Sequence, residues 1–183
     1  MNKFLKPLFK ILERFQRLLI SITFGNTRIR LLRLAGMKIG KKCIIHTRYF
    51  STEPYLIDIG DRVAIADGVR FLTHDGAVWL IREEHQNIDI FGKIKVGDNT
   101  FIGVNTLILP NTEIGRNCII GSGSVVRGKI PENTVAFGNP AKVAFKTSVL
   151  KAMMLNNKNA FKETKGMHYF KKKKFLLKHL KDA

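Results

Sequence analysis

Among the five histidines of this 183-residue chain, His74 has the most distinctive surroundings. It lies between Thr73 and Asp75, at the point where a regular pattern of apolar residues stops. A neutral imidazole can take a proton from a hydroxyl group, because its ordinary pKa is close to the pH at which most enzymes work. The alternative is a histidine that anchors a loop through hydrogen bonds to the backbone. The residues alone leave both interpretations open.

The pattern around His74 is a repeat of six residues. The apolar row is Val96, Ile102, Ile108, Ile114, Ile120 and Val126. Three positions further on, the second row is Asn99, Asn105, Asn111, Asn117 and Gly123, and the third row, one position later, is Thr100, Thr106, Thr112, Cys118 and Ser124. Strands alternate every two residues and helices turn every 3.6, so neither has this period. The six-residue period instead predicts a short strand plus a turn, repeated as a solenoid.

Each row has a physical role in such a solenoid. Repeated aliphatic side chains must point inward, because they then stack into a continuous core. Asn and Gly tolerate the left-handed backbone that a sharp corner needs. The small residues fit beside the large ones where two walls converge. Three units therefore make one triangular coil.

The same phase recurs upstream and then stops. Earlier members of the apolar row are Ile39, Ile45, Ile59, Ile65 and Phe71, with Gly68 at a corner position. The repeat breaks between Phe71 and Ile94, which are 23 positions apart, so a long loop leaves the solenoid there. Loops of this length in a compact domain are usually functional or disordered.

The rows, the loop and the segments 73–76 (Thr-His-Asp-Gly) and 138–142 (Gly-Asn-Pro-Ala-Lys) together resemble the hexapeptide-repeat acyltransferases. The two segments narrow the resemblance to the sugar and polysaccharide O-acetyltransferases. The resemblance implies a mainly β fold, a left-handed parallel β-helix. Ordinary strand crossovers are right-handed, so this hand is an expectation that comes from the resemblance alone.

Three regions are expected along the chain. Residues 1–36 are predicted to form a basic amphipathic helical segment. Residues 37–146 should form the left-handed β-helix acyltransferase domain, with a loop insertion at 75–93. Residues 147–183 should form a basic helical C-terminal tail.

The resemblance implies an O-acetyltransferase that moves an acetyl group from acetyl-CoA to a sugar hydroxyl in surface polysaccharide biosynthesis. His74 would be the general base, and no metal is expected. The implied cofactor contacts are Gly103, Gly121, Ser122, Arg127, Lys142 and Lys146. The amide of Gly103 is also a candidate oxyanion donor, although packing explains the same glycine. Without the resemblance, Arg127 and Lys142 are equally well explained as solvated surface charges.

Three residues are candidates for contact with the acceptor sugar. His46 stands where relatives carry an asparagine that orients the hydroxyl, and a simple corner position explains it better. Asp75 would orient either the substrate or His74. Trp79, in the loop, would stack on a sugar ring, with a packing anchor as the alternative.

The family also implies assembly. A homotrimer is expected, with His74 of one subunit facing cofactor held by its neighbour, and with outward residues such as Leu107, Ile119 and Val125 at the interface. A flat-sided prism has broad faces that suit threefold packing.

The formal net charge of +18 is concentrated at the two ends. Residues 1–33 carry 8 basic and 1 acidic side chains, and residues 146–183 carry 11 and 2. No nucleic-acid motif accompanies this charge, so nucleic acid is not an expected partner. In 4–22 the apolar residues, from Phe4 to Ile22, form one helical stripe. Such a helix either lies on an anionic membrane or packs on the solenoid end or a neighbouring subunit.

No apolar run reaches the roughly 18 residues of a membrane-spanning helix. The N-terminal stretch lacks a clear signal-peptide cleavage site. Cys43 and Cys118 are interpreted as reduced cysteines that serve in packing. We therefore expect a cytoplasmic protein, with peripheral contact at the inner membrane face as one alternative for its basic ends.

Other functions fit the sequence less well. The acceptor could instead be a xenobiotic or a free sugar. A metal lyase that shares this solenoid needs three histidine ligands with a close pair, and the spacing of His46, His74 and His85 does not match. A non-catalytic scaffold is disfavoured by the broken repeat, and a nucleotidyltransferase by the absence of a glycine-rich phosphate loop.

Overall fold

The structure, a computed structural model, describes residues 6–180, apart from the side chains of residues 6–10 and 13. The predicted start of the N-terminal segment, including Phe4, and residues 181–183 of the tail lie outside the described residues. The helices are α1 (Lys6–Ile22), α2 (Gly25–Leu34), α3 (Thr147–Leu155) and α4 (Tyr169–His179), with 3₁₀ helices at Pro54–Leu56 and Gly76–Ile81.

Between the helices, short strands follow one another at the spacing of the repeat. They are β1 (Lys38–Ile39), β2 (Ile44–Ile45), β3 (Ile57–Ile59), β4 (Ala64–Ile65), β5 (Arg70–Phe71), β6 (Ile94–Val96), β7 (Phe101–Ile102), β8 (Leu107–Ile108), β9 (Thr112–Ile114), β10 (Ile119–Ile120), β11 (Val125–Val126), β12 (Lys129–Ile130), β13 (Thr134–Gly138) and β14 (Ala141–Lys146).

The strands form three sheets, which are the walls of a prism. The first wall is β1-β3-β6-β9-β12, the second is β2-β4-β7-β10-β13-β14, and the third is β5-β8-β11. Neighbouring strands are parallel, except that β14 returns antiparallel along β13. From β3 to β11 the chain visits the three walls in turn, so each of these coils takes one strand from each wall. This is the predicted three-sided β-helix.

The three sequence rows take the predicted places. Every residue of the apolar row from Val96 to Val126 is at most 1% exposed. Asn99, Asn105, Asn111 and Asn117 have φ of 54–60°, and Gly123 has φ of 70°. The small row is buried as well, from Thr100 to Ser124. The corner row therefore supplies the left-handed residues that let the chain turn.

Two corners of the prism matter for the site. The loop corner, between the third and first walls, contains residues 72–74, 109–111 and 127–128, linked by Leu72 N–H donating to Ile108 O and Leu109 N–H donating to Val126 O, both at 2.9 Å. The glycine corner, between the second and third walls, contains residues 46–48, 66–69, 103–106 and 121–124. Amides of successive coils there donate to the strand of the next coil, as Gly103 N–H does to Ile120 O at 2.9 Å.

Helices α1 and α2 are tied to the first coil by Arg28. Its side chain is 2% exposed. The guanidinium donates to the carbonyls of Ile20 at 3.2 Å, His46 at 2.7 Å and Thr47 at 2.8 Å. Burial, then the nearby charge of Arg48, lowers the pKa of Arg28, and Asp67 opposes this. One buried cation thus joins the end of α1, helix α2 and the glycine corner.

The chain divides into two compact units, residues 1–147 and 148–183. The second unit contains α4, whose Phe175 packs edge-on against Phe161 at 5.5 Å between ring centroids. Helices at both ends agree with the predicted fold class. Within residues 6–180, none of the helices combines the length and the apolar character needed to cross a bilayer.

Candidate active site

The loop that interrupts the repeat is closed at its base by a short antiparallel clip. Gly92 N–H donates to Thr73 O at 2.7 Å, and Asp75 N–H donates to Ile90 O at 3.0 Å. His74 lies opposite Phe91 in this clip. The backbone on both sides of His74 is therefore held, so the imidazole is presented from a fixed position at the loop corner.

The side chain of His74 is oriented by Glu53. Nδ1 of His74 lies 3.1 Å from Oε2 of Glu53. The same carboxylate accepts hydrogen bonds from Thr73 Oγ1 at 2.7 Å and from Ser51 Oγ at 3.1 Å, and Oε1 accepts from Thr52. The glutamate is 14% exposed and the histidine 45% exposed. A half-exposed imidazole thus rests on a carboxylate that its neighbours hold in place.

The charge of Glu53 follows from these contacts. Burial would raise the pKa of Glu53, but hydrogen bonds from Thr52, Thr73, His74 and Ser51 outweigh it and lower the pKa to about 2. At neutral pH the group is therefore a carboxylate, which can only accept hydrogen bonds. Nδ1 of His74 must carry the proton, and in the neutral imidazole Nε2 is left with a free lone pair.

His74 faces a cavity of about 400 Å³. Its lining includes Asp75, Trp79 and Phe91 together with Glu53. The indole of Trp79 is 80% exposed, so one flat apolar surface remains open to a ligand. The structure thus brings together His74 and two of the three predicted acceptor residues. Such an arrangement can remove a proton from a small polar molecule that enters the cavity.

Comparison with known proteins places this chain in a family. The model "Bacterial transferase hexapeptide (six repeats)" matches residues 93–128. Protein CapG of Staphylococcus aureus is 38% identical over 170 residues, which cover 91% of this chain and 97% of CapG. The chain belongs to the hexapeptide-repeat acyltransferases.

Further similarities agree with this membership. The galactoside O-acetyltransferase of Lactococcus lactis subsp. lactis is 29% identical over 154 residues, covering 73% of each protein. The crystal structure of a maltose O-acetyltransferase from Clostridium difficile 630 superposes with a TM-score of 0.60 at 28% identity, over 79% of this chain and 89% of that one. Three other curated relatives are matched over 29 to 56% of their length. These findings confirm the predicted family and its left-handed parallel β-helix.

Three of the cofactor residues predicted for this acyltransferase lie together at the glycine corner. A Cβ added to Gly103 would come within 2.5 Å of the amide nitrogen of Ser122, and one on Gly121 within 2.7 Å of Phe137 Cβ. These glycines are needed where coils approach closely. The amide of Gly103 is already bonded to Ile120, so it is not free as an oxyanion donor, contrary to that expectation. A Cβ added to Gly123 would meet no atom within 4 Å, and both Gly123 and Ser122 are exposed.

The remaining cofactor candidates are exposed cations elsewhere. Arg127 lies at the loop corner, directly after β11. It is two coils further along the β-helix than Leu72. Lys142 and Lys146 both lie on β14, at the edge of the second wall. Their exposure suits contact with phosphate groups.

Two acceptor predictions need comment. His46 lies at the glycine corner and lines a different cavity, with Phe24 and Ile44, so it does not lie beside His74 of the same chain. Asp75 lines the His74 cavity, but its carboxylate accepts the amide of Ala77 at 2.9 Å and caps the second 3₁₀ helix. The carboxylate that contacts the imidazole is that of Glu53.

Sequence reasoning missed Glu53. Adjacent coils bring Glu53 and His74 together. The segment after Phe50 leaves the third wall one coil before the segment that carries His74. The rings of Phe50 and Phe71, which lie in these two coils, stack at 5.3 Å between centroids. A signal was present. The interval from Ile45 to Ile59 is not a multiple of six, so the repeat breaks there as well, around Ser51 and Glu53. A second break marks a second segment that leaves the wall.

Proposed function

We propose that this acyltransferase transfers the acetyl group of acetyl-CoA to a hydroxyl of a sugar, in the biosynthesis of a surface polysaccharide. The observation that carries the proposal is His74, whose Nδ1 proton is directed to Glu53 and whose Nε2 is left free beside an open cavity. The relatives named galactoside and maltose O-acetyltransferase support a sugar as the acceptor.

The geometry supports direct transfer by general base catalysis. The acceptor hydroxyl gives its proton to Nε2 of His74 while its oxygen forms a bond to the thioester carbonyl carbon. Glu53 stabilises the imidazolium that results, through the Nδ1–H hydrogen bond. The tetrahedral intermediate then breaks its carbon–sulfur bond, and the thiolate of CoA takes the proton from the imidazolium. The products are the acetyl ester and free CoA.

Acetyl-CoA is proposed as a co-substrate, and no metal takes part in the mechanism. We assign the pantetheine arm to the glycine corner, where Ser122 and Gly123 are exposed. The cofactor phosphates need cations, and Arg127, Lys142 and Lys146 are exposed. On the acceptor side, Trp79 would stack on a sugar face and Asp75 would line the site.

The placement of these residues supports a homotrimer. His74 and Arg127 lie at the loop corner, whereas Gly103, Gly121 and Ser122 lie at the glycine corner, on the other side of the third wall. A site that uses both sets needs the loop corner of one subunit against the glycine corner of another. Leu107 and Val125 pair on the third wall between them, while Ile119 lies on the second wall.

The proposed location is the cytoplasm, where acetyl-CoA is expected and where Cys43 and Cys118 would stay reduced. Both cysteines are free in the structure. The experiment is incubation of the purified full chain with labelled acetyl-CoA and a panel of glycans, free sugars and hydroxylated xenobiotics. We expect label in a polysaccharide repeat unit, with release of one CoA thiol per ester. Transfer only to a xenobiotic, or to no sugar, would overturn the assignment.

A further inference from the structure

One face of α1 is apolar and uncovered. Its members are Ile11, Leu12, Phe15, Leu18 and Ile22, each 54–62% exposed. Successive members are mostly three or four residues apart, so they share one side of the helix. The opposite side packs inward through Ile20, which is 7% exposed. The apolar stripe therefore does not pack on the end of the β-helix, which was one of the alternatives for this segment.

Positive charge flanks this face. Exposed Arg14 is three residues from Ile11 and four from Leu18, so it lies at one edge of the apolar stripe. Residues 1–33 carry 8 basic side chains against 1 acidic one. An apolar face with a basic edge fits a bilayer surface that contains anionic lipid, because the two features meet acyl chains and headgroups respectively. A second protein copy would bring the same basic edge against itself.

The inner side of α1 borders the candidate active site. Nη2 of Arg17 donates to Thr52 O at 3.4 Å. A cavity of about 520 Å³ lies between α1 and the segment around Glu53, and its lining includes Gln16, Arg17 and Ile20. Thr52 and Glu53 line both this cavity and the one that contains His74. One helix, about 10 Å across, thus separates the exposed apolar face from the cavity that borders Glu53.

We infer that α1 docks on an anionic membrane through its face Ile11, Leu12, Phe15, Leu18 and Ile22, and that this places the His74 cavity at the lipid surface. The evidence for docking comes from helix α1 alone and does not depend on the proposed function. The consequence, an acceptor glycan carried on a lipid anchor, rests on the proposed function.

The test uses the full chain and two kinds of vesicle, phosphatidylcholine alone and phosphatidylcholine mixed with phosphatidylglycerol. We expect cosedimentation with the anionic vesicles that weakens as salt is raised. The double variant Phe15→Ser/Leu18→Ser should bind about tenfold more weakly or worse. The matched control Phe137→Ser/Val143→Ser removes two similarly exposed apolar residues from β13 and β14 and should bind like the wild type.

Several outcomes would overturn the inference. They are wild-type protein that ignores anionic vesicles, a Phe15/Leu18 variant that binds normally, and a variant whose oligomeric state changes, which would assign the face to another copy of the chain. A second arm compares acetylation of one glycan in free form and on a lipid anchor in vesicles. The variant should lose only the anchored reaction. Failure of the proposed function would appear differently, as no transfer to either form by the wild type.

Discussion

Oε2 of Glu53 and Nδ1 of His74 lie 3.1 Å apart, although 20 residues separate them in the chain. The carboxylate decides which nitrogen of the imidazole is protonated, so it decides which nitrogen can accept a proton from a substrate. The hydrogen bonds that hold Glu53 come from its own segment and from Thr73. The site is thus built where two consecutive coils leave the third wall.

The first prediction concerns this pair. Glu53→Gln removes the negative charge that stabilises the imidazolium, and its amide no longer enforces the Nδ1–H tautomer. We expect kcat for acetyl transfer to fall about 100-fold, with KM for acetyl-CoA unchanged. Steady-state kinetics measure both. Glu113→Gln, an exposed glutamate on β9, is the matched control and should retain activity. Equal kcat values for the two variants would remove Glu53 from the mechanism.

The same residue gives a prediction about acid stability. The pKa of Glu53 is about 2 in the folded protein against an ordinary 4.5, so the folded state is stabilised wherever the carboxylate is ionised. This stabilisation, about 3 kcal/mol, is fully present above pH 4.5 and is lost as the pH falls towards 2. Urea unfolding across this range should show a smaller loss of unfolding free energy in Glu53→Gln. Parallel curves for the two proteins would contradict the assignment.

Arg28 provides a test of how the helices are attached. Arg28→Met leaves three carbonyls without their charged donor, those of Ile20, His46 and Thr47. We expect the free energy of unfolding to fall by about 3 kcal/mol. Arg30→Met, on the exposed side of α2, should change it by less than about 0.5 kcal/mol. Chemical denaturation compares them, and a similar small effect from both would show that Arg28 does not hold α1 and α2 to the first coil.

The corner row predicts a particular order of stability. Asn117 has φ of 54° and links Asn99 and Asn133 in a ladder of side-chain hydrogen bonds, at 2.7 and 2.9 Å. Asn117→Ala should cost about 2 kcal/mol, because it adds left-handed strain to the lost hydrogen bonds. Asn117→Gly should cost about 1 kcal/mol, because glycine accepts this backbone. Thermal unfolding ranks the variants, and an alanine variant at least as stable as the glycine variant would refute a backbone role.

The sequence predicted the fold well because the β-helix repeats its demands every six residues. An isoleucine such as Ile108 and an asparagine such as Asn105 meet the same neighbours in each coil, so the pattern is redundant. His74 is predicted for a similar reason, since it marks where the repeat stops. Glu53 and Arg28 occur once each, and their partners are distant in sequence. Their roles depend on how consecutive coils and the two N-terminal helices align, which no local pattern records.

The proposed function depends on His74 removing the proton from the acceptor hydroxyl. The most direct measurement is the turnover of His74→Ala beside His85→Ala, an exposed loop histidine outside the His74 cavity. CoA binding and oligomeric state are measured on the same samples. We expect a loss of about 10²- to 10⁴-fold for His74→Ala alone, with CoA binding and assembly intact. Turnover of His74→Ala close to that of the wild type would contradict it.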